Sequence, residues 1–188
     1  MSVVLRFLCF VFFLVMSNYA QTQQDLVTLV KDALSLHQKG NLDDALDGYD
    51  KLVNDLHKLT PAMGATIHSN RGAILLQQGN YELAKDAFLA ATNTEPENVN
   101  AHYNLAVTLT SKLNEHANAM KHTLVVLKKN PSHVKALHLL GNIMQGLGRP
   151  DDASRYYLKA ERIAQEEAAA TSSNASNDMP INENINGK

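Results

Sequence analysis

Three glycines, Gly40, Gly79 and Gly148, each head the same short pattern, and that pattern constrains the fold more than any other feature of the chain. Five residues after each comes an alanine: Ala45, Ala84 and Ala153. Four further on stands an aromatic, Tyr49, Phe88 or Tyr157, and three beyond it another apolar residue, Leu52, Ala91 or Ala160. Offsets of four and three place side chains on one face of a helix. Counting backwards gives a second face. Leu36, Leu75 and Met144 lie four residues before the glycines, and Ala33, Gly72 and Gly141 lie seven before. Each glycine therefore marks a turn between two amphipathic helices, where the missing Cβ gives the backbone the freedom it needs. The small residues mark where the paired helices cross. One such pair is too short to bury both apolar faces, so it needs similar units stacked on it.

A fourth copy lies between Gly79 and Gly148. Ala106 and Leu109 fit its first helix, and Ala119 and Val126 fit its second. Leu113 or Asn114 takes the glycine position. Leu113 to Ala119 is six residues rather than five, which predicts one inserted residue in the turn, and Thr123 replaces the aromatic. Pro61, Pro96 and Pro131 recur every 35 residues.

A helix–turn–helix period near 34 residues is that of the tetratricopeptide repeat family, and the chain resembles that family from Leu26 to Ile163. In the second unit Gly72, Leu75, Gly79, Tyr81, Ala84, Phe88, Ala91 and Pro96 stand where the family pattern expects them. Leu137, Leu140, Gly141, Gly148, Ala153, Tyr157 and Ala160 do the same in the fourth. The first unit matches only in its second half: Asp32 stands where an apolar residue is usual, and its exit is four residues longer before Pro61. The resemblance implies an all-α fold, a right-handed superhelical array of helix–turn–helix repeats. Its units are 24–61 (divergent), 65–98, 99–133 and 134–170, the last including a capping extension. The helices are expected at 24–39, 42–58, 63–78, 81–94, 98–112, 115–129, 133–147 and 150–169.

The two ends differ from the repeats. Arg6 is followed by an unbroken apolar run, Phe7 to Met16, and then by Ser17, Asn18, Tyr19 and Ala20. This is the layout of a secretory signal peptide over residues 1–20, with cleavage after Ala20 or after Ser17. The alternative is a retained anchor through residues 3–16, which falls short of the ~18–20 apolar residues a spanning helix needs. The expected product is therefore secreted or held in the ER lumen, with no stable membrane span after cleavage. Cleavage takes the formal charge from −2 to −3 and removes Cys9, the only cysteine. Residues 171–188 are rich in Ser and Asn and poor in apolar residues, and are expected to be a disordered tail. Asn174-Ala175-Ser176 is an N-glycosylation acceptor, meaningful only on the secretory route.

Catalysis and metal binding find no support. There is no His-Glu-x-x-His motif, no cysteine pair and no carboxylate-rich loop, so no metal or cofactor is expected. Gly146-Leu147-Gly148 lacks the Lys-Ser/Thr of a phosphate loop and reads as an inter-helix turn. His68 and His102 fall at equivalent repeat positions, where the family packs a large ring. Asp43, Asp44, Asp151 and Asp152 open second helices, where they complement the helix dipole. No basic run is present to hold a nucleic acid.

A groove remains. First helices line the hollow side of such arrays. The residues pointing there are Ser69, Asn70, Ala73 and Leu76, then Asn100, Tyr103, Asn104 and Val107, then Lys135, His138, Leu139 and Asn142. Asn70 and Asn104 share one repeat position. A side-chain amide both donates and accepts, so it can pair with a peptide backbone of any sequence. The pair resembles the asparagine ladder in the repeat arm of the nucleocytoplasmic sugar transferase that modifies Ser and Thr. A carboxylate clamp of the kind some family members use falls on Val30, Leu34, Asn70, Asn100 and Asn104, and only Asn70 matches it. The expected function is a non-catalytic interaction scaffold of the secretory route. It would bind a segment or helix of another protein through Asn70, Tyr103, Asn104, His138 and Asn142. The alternative is an ER-luminal co-chaperone that binds unfolded chains.

Overall fold

The computed structural model describes residues 3–177, with side chains over 8–170. The fold is all-α. Eight α-helices follow one another among the described residues: α1 (Val3–Gln38), α2 (Leu42–Val53), α3 (Pro61–Gln77), α4 (Tyr81–Thr94), α5 (Val99–Ser111), α6 (His116–Lys129), α7 (Val134–Gly146) and α8 (Pro150–Asn177). They fall into two compact units, one up to Thr108 and one from Leu109, with the boundary inside α5.

In the first unit α1 packs on α2, α2 on α3 and α3 on α4. Ala45, Tyr49 and Leu52 of α2 are fully buried with Leu26 and Ala33 of α1 and Ile67 and Ile74 of α3. Ala33 lies against Gly48, whose added Cβ would sit 3.0 Å from its own. In the second hairpin Gly72 brings α3 onto the ring of Phe88; a Cβ there would lie 2.8 Å from the ring. The long exit of the first unit holds a 3-10 turn, Leu56–Lys58, and its Leu56 and Leu59 pack on the same core. Thr60 then caps α3, its hydroxyl accepting from the Met63 N–H at 3.3 Å. Pro61 occupies the first helical position, where its missing N–H leaves no bond unmade.

In the second unit α6 packs on α7 and α7 on α8. Gly141 repeats the role of Gly72, here under the ring of Tyr157. Thr123 stands where the other units carry an aromatic. It is fully buried, and its hydroxyl donates to the Ala119 carbonyl at 2.9 Å, which removes the penalty of burying it.

The turns explain the glycines. Gly40, Gly79 and Gly148 all have φ between 72° and 81°, a region open to few other residues. In each turn the next residue's N–H reaches back five residues: Asn41 to Leu36, Asn80 to Leu75, Arg149 to Met144. Such a bond caps the helix end. Between α5 and α6 the left-handed residue is Asn114, with φ 54°. Asn114, not Leu113, is thus the glycine equivalent, and Ala119 follows it at the regular five residues. The inserted residue lies before it, since the Glu115 N–H reaches Leu109, six residues back. Asparagine tolerates this conformation better than other residues with a Cβ.

Both ends run further as helix than expected. α1 continues without a break from Val3 into the first repeat, because no glycine or proline interrupts residues 3–38. Residues 8–25 are exposed apart from the half-buried Gln23, and Leu26 is the first buried side chain among the described residues. Phe10, Phe12 and Phe13 are all at least 60 % exposed. Among the described residues no helix is long and apolar enough to cross a membrane. At the other end α8 passes the expected boundary at residue 171 and runs to Asn177. Ala168–Ala170 favour helix, and no proline follows until Pro180. The rest of the expected tail, 178–188, and the side chain of Asn174 lie outside the described residues.

Candidate functional site

Asn70 and Asn104 line one cavity in the first unit. α3 contributes Thr66, Ser69, Asn70 and Ala73 to it; Asn98, Asn100 and Asn104 come from α5 and its cap. On α3 Ser69 and Asn70 follow Thr66 by three and four residues and Ala73 follows Asn70 by three, which holds them to one helical face, and on α5 Asn100 and Asn104 lie one turn apart. The cavity measures about 320 Å³. Asn98 is committed to the helix: its carbonyl oxygen accepts from the Ala101 N–H at 3.0 Å, and its amide donates to Glu95 at 2.8 Å. Asn70 is fixed from the other side, its amide donating to the Tyr49 hydroxyl of α2 at 3.2 Å. That bond leaves the Asn70 carbonyl oxygen as the available acceptor. Burial raises the Tyr49 hydroxyl's pKa, and the Asn70 bond partly opposes this. The Ser69 hydroxyl is buried and has no hydrogen-bond partner.

A second cavity, of about 210 Å³, adjoins the first through Thr66 and Asn70, which line both. Its walls are apolar: Val30 and Leu34 of α1, Met63 and Ile67 of α3, the Tyr49 ring, and Ala62. Val30 and Leu34 occupy two of the positions where a carboxylate clamp would need polar or charged groups. Among the described residues no Lys, Arg, Asp or Glu lines either cavity.

The remaining groove candidates sit elsewhere. Tyr103 is half-buried on α5 outside both cavities, and burial raises its pKa. His138 and Asn142 belong to the second unit, both exposed on α7. Their common neighbour is Tyr157. The His138 ring lies 5.9 Å from the Tyr157 ring, and the Tyr157 hydroxyl donates to the Asn142 carbonyl oxygen at 2.7 Å. Asn142 is therefore engaged with its own hairpin. Leu139, expected in the groove, is 7 % exposed, and Ala136 and Ile143 on the same helix are buried as well.

The paired histidines are packing residues. His102 is buried, with a ring nitrogen 3.0 Å from the Pro96 carbonyl. His68 is half-buried; burial, and then the nearby Arg71 charge, lower its pKa. Among the described residues no three His, Cys, Asp or Glu side chains gather as metal ligands.

Sequence reasoning missed Thr66, Asn98 and the whole apolar cavity. Thr66 was reachable by stepping one turn back from Asn70 along α3. Val30, Leu34 and Met63 gave no signal distinct from ordinary core positions.

Two family models, both of the tetratricopeptide repeat, match residues 70–132 and 134–167, together more than half of the chain. No curated protein matches the sequence. Among solved structures, a crystal structure of MamA superposes with a TM-score of 0.68 at 21% identity, over 80% of this chain and 87% of that one. A second, of MamA protein, gives 0.68 at 23% identity, over 80% and 78%. MamA 41-end from Desulfovibrio magneticus RS-1 gives 0.64 at 18% identity, over 75% and 76%. At these identities the likeness is one of fold.

Proposed function

We propose that this chain, which belongs to the tetratricopeptide repeat family, is a non-catalytic scaffold that holds an extended segment of another protein against α3 and α5. One observation carries the reading: Ser69, Asn70, Asn100 and Asn104 converge on a single uncharged cavity. Amides and hydroxyls in that arrangement match the alternating donors and acceptors of an extended backbone. The absence of charge around them favours a ligand recognised by its main chain over one recognised by a phosphate or carboxylate. The test is a random-peptide selection on the full chain, repeated on an Asn70→Ala/Asn104→Ala variant whose melting curve shows it folded. Peptides enriched on the wild type and lost on the variant support the reading. Equal enrichment on both, or none on either, refutes it. Capture of denatured model proteins without sequence preference would favour the holding of unfolded chains instead.

The secretory route is part of the same proposal. It rests on Arg6, the run Phe7–Met16 and the small residues at Ser17 and Ala20. N-terminal sequencing of the protein from its own cells decides it. A mature chain that starts at Asn18 or Gln21 supports the route, and an intact Met1 on a chain recovered from the soluble fraction refutes it. A glycosidase-sensitive mass at Asn174 would be independent support.

A further inference from the structure

We propose that the apolar cavity and the amide cavity are one bipartite site. It takes a peptide with a single Leu, Met or Phe side chain and no charged neighbour beside it. The inference rests on the peptide reading above and adds what the peptide must carry. The two cavities share Thr66 and Asn70, so a ligand lying along α3 meets both. The chemistry changes along that face, from Met63 at the apolar end to Asn70 and then Asn104 at the polar end.

Three features set the ligand class. The first is size. A cavity of about 210 Å³ is larger than the ~150 Å³ that suffices to bind benzene when apolar. It therefore holds one Leu, Met or Phe side chain. The second is charge. With no ionisable group on its walls except the Tyr49 hydroxyl, the site offers nothing to a Lys, Arg, Asp or Glu side chain that would lose its water there. The third is polarity at the junction. Tyr49 holds the Asn70 amide, which presents the carbonyl oxygen, and Ser69 carries a buried hydroxyl with no partner. A backbone N–H beside the anchored residue suits Asn70, and a further main-chain group satisfies Ser69. A carbohydrate would pair with the amides but would leave the apolar cavity empty.

The experiment uses the full chain and phage-displayed random dodecapeptides as the probe. One enriched peptide is then synthesised with its apolar residue intact and with that residue changed to Ala. Both are titrated against wild type, Leu34→Glu and Ala62→Phe. Leu34 and Ala62 are exposed, so neither change disturbs the core, and Ala62→Phe fills the cavity without adding charge. Selected peptides should share one Leu, Met or Phe with uncharged neighbours. Changing that residue to Ala should weaken wild-type binding at least ten-fold. Leu34→Glu and Ala62→Phe should each do the same, and the peptide change should cost these variants almost nothing more. Enriched peptides that depend on Asn70 and Asn104 but share no apolar position would overturn the bipartite site and leave the peptide reading standing. Losses from the peptide change and from Leu34→Glu that simply add would overturn it too. If no peptide is enriched, the peptide reading fails and takes the inference with it.

Discussion

Gly72→Ala is the sharpest test of how the second hairpin is packed. A Cβ at this position would lie 2.8, 2.9 and 3.0 Å from three ring carbons of Phe88. The ring is 1% exposed and cannot swing into solvent, so the backbone of α3 or α4 must give. Overpacking of this kind costs about 1–3 kcal/mol. Alanine in a helix interior recovers about 1 kcal/mol relative to glycine. With the ring this enclosed, the net should be a loss of about 1–2 kcal/mol, in the upper part of the range those figures allow. For a chain of this length that lowers the midpoint by about 2–8 °C. Differential scanning calorimetry reads the shift directly. The same substitution in a Phe88→Leu background removes the ring and should be neutral or stabilising. The double-mutant cycle should then show a coupling of about 1 kcal/mol or more. A higher midpoint for Gly72→Ala in the otherwise native chain would mean that helix propensity wins, and that α3 and α4 do not approach as closely as described.

Asn114 supplies the left-handed residue between α5 and α6, so Asn114→Ala should cost about 1–2 kcal/mol while Asn114→Gly should be close to neutral; urea denaturation distinguishes the two. Thr60→Ala removes the side-chain cap of α3 and should lower stability by about 0.5–2 kcal/mol in the same assay. His68 has a folded pKa below its ordinary value, so the unfolded chain takes up its proton first as pH falls. Stability should therefore decline as pH drops below about 6.5 and level off beneath the lowered folded value. Melting curves of His68→Gln should lose that part of the decline, and an unchanged pH profile would refute the assignment.

The repeat pattern was legible because steric demands fix it. A left-handed turn favours glycine, with asparagine the next best, and the close helix crossings fall at Gly72 and Gly141; neither demand depends on distant parts of the chain. Thr123 was harder to read, since a polar residue at a core position is acceptable only when its hydroxyl finds a partner in its own helix. The inserted residue near Leu113 was legible from spacing, but only the backbone shows that Asn114 takes the glycine's place. The candidate site divides in the same way. Asn70 and Asn104 stood out because they share a repeat position. The apolar cavity did not, because whether Leu34 and Met63 are covered depends on how far α1 stands from α3, and no local pattern encodes that distance. Leu139 failed for a related reason: one position at the edge of a helix face can turn either way. The continuation of α1 has no signal of its own in the sequence: the apolar run suggests a separate element, yet nothing between Ser17 and Leu26 breaks a helix.

The burial of Leu26, and of no side chain between residues 8 and 25, makes the repeats thermodynamically blind to the apolar run. Residues 17–25 form a spacer of about two and a half helical turns between that run and the first core contact. A protease that cut ahead of Gln21 would shorten α1 without opening the core cluster of Leu26, Ala33 and Tyr49. Changes in the leading segment therefore leave the buried contacts of the first unit in place.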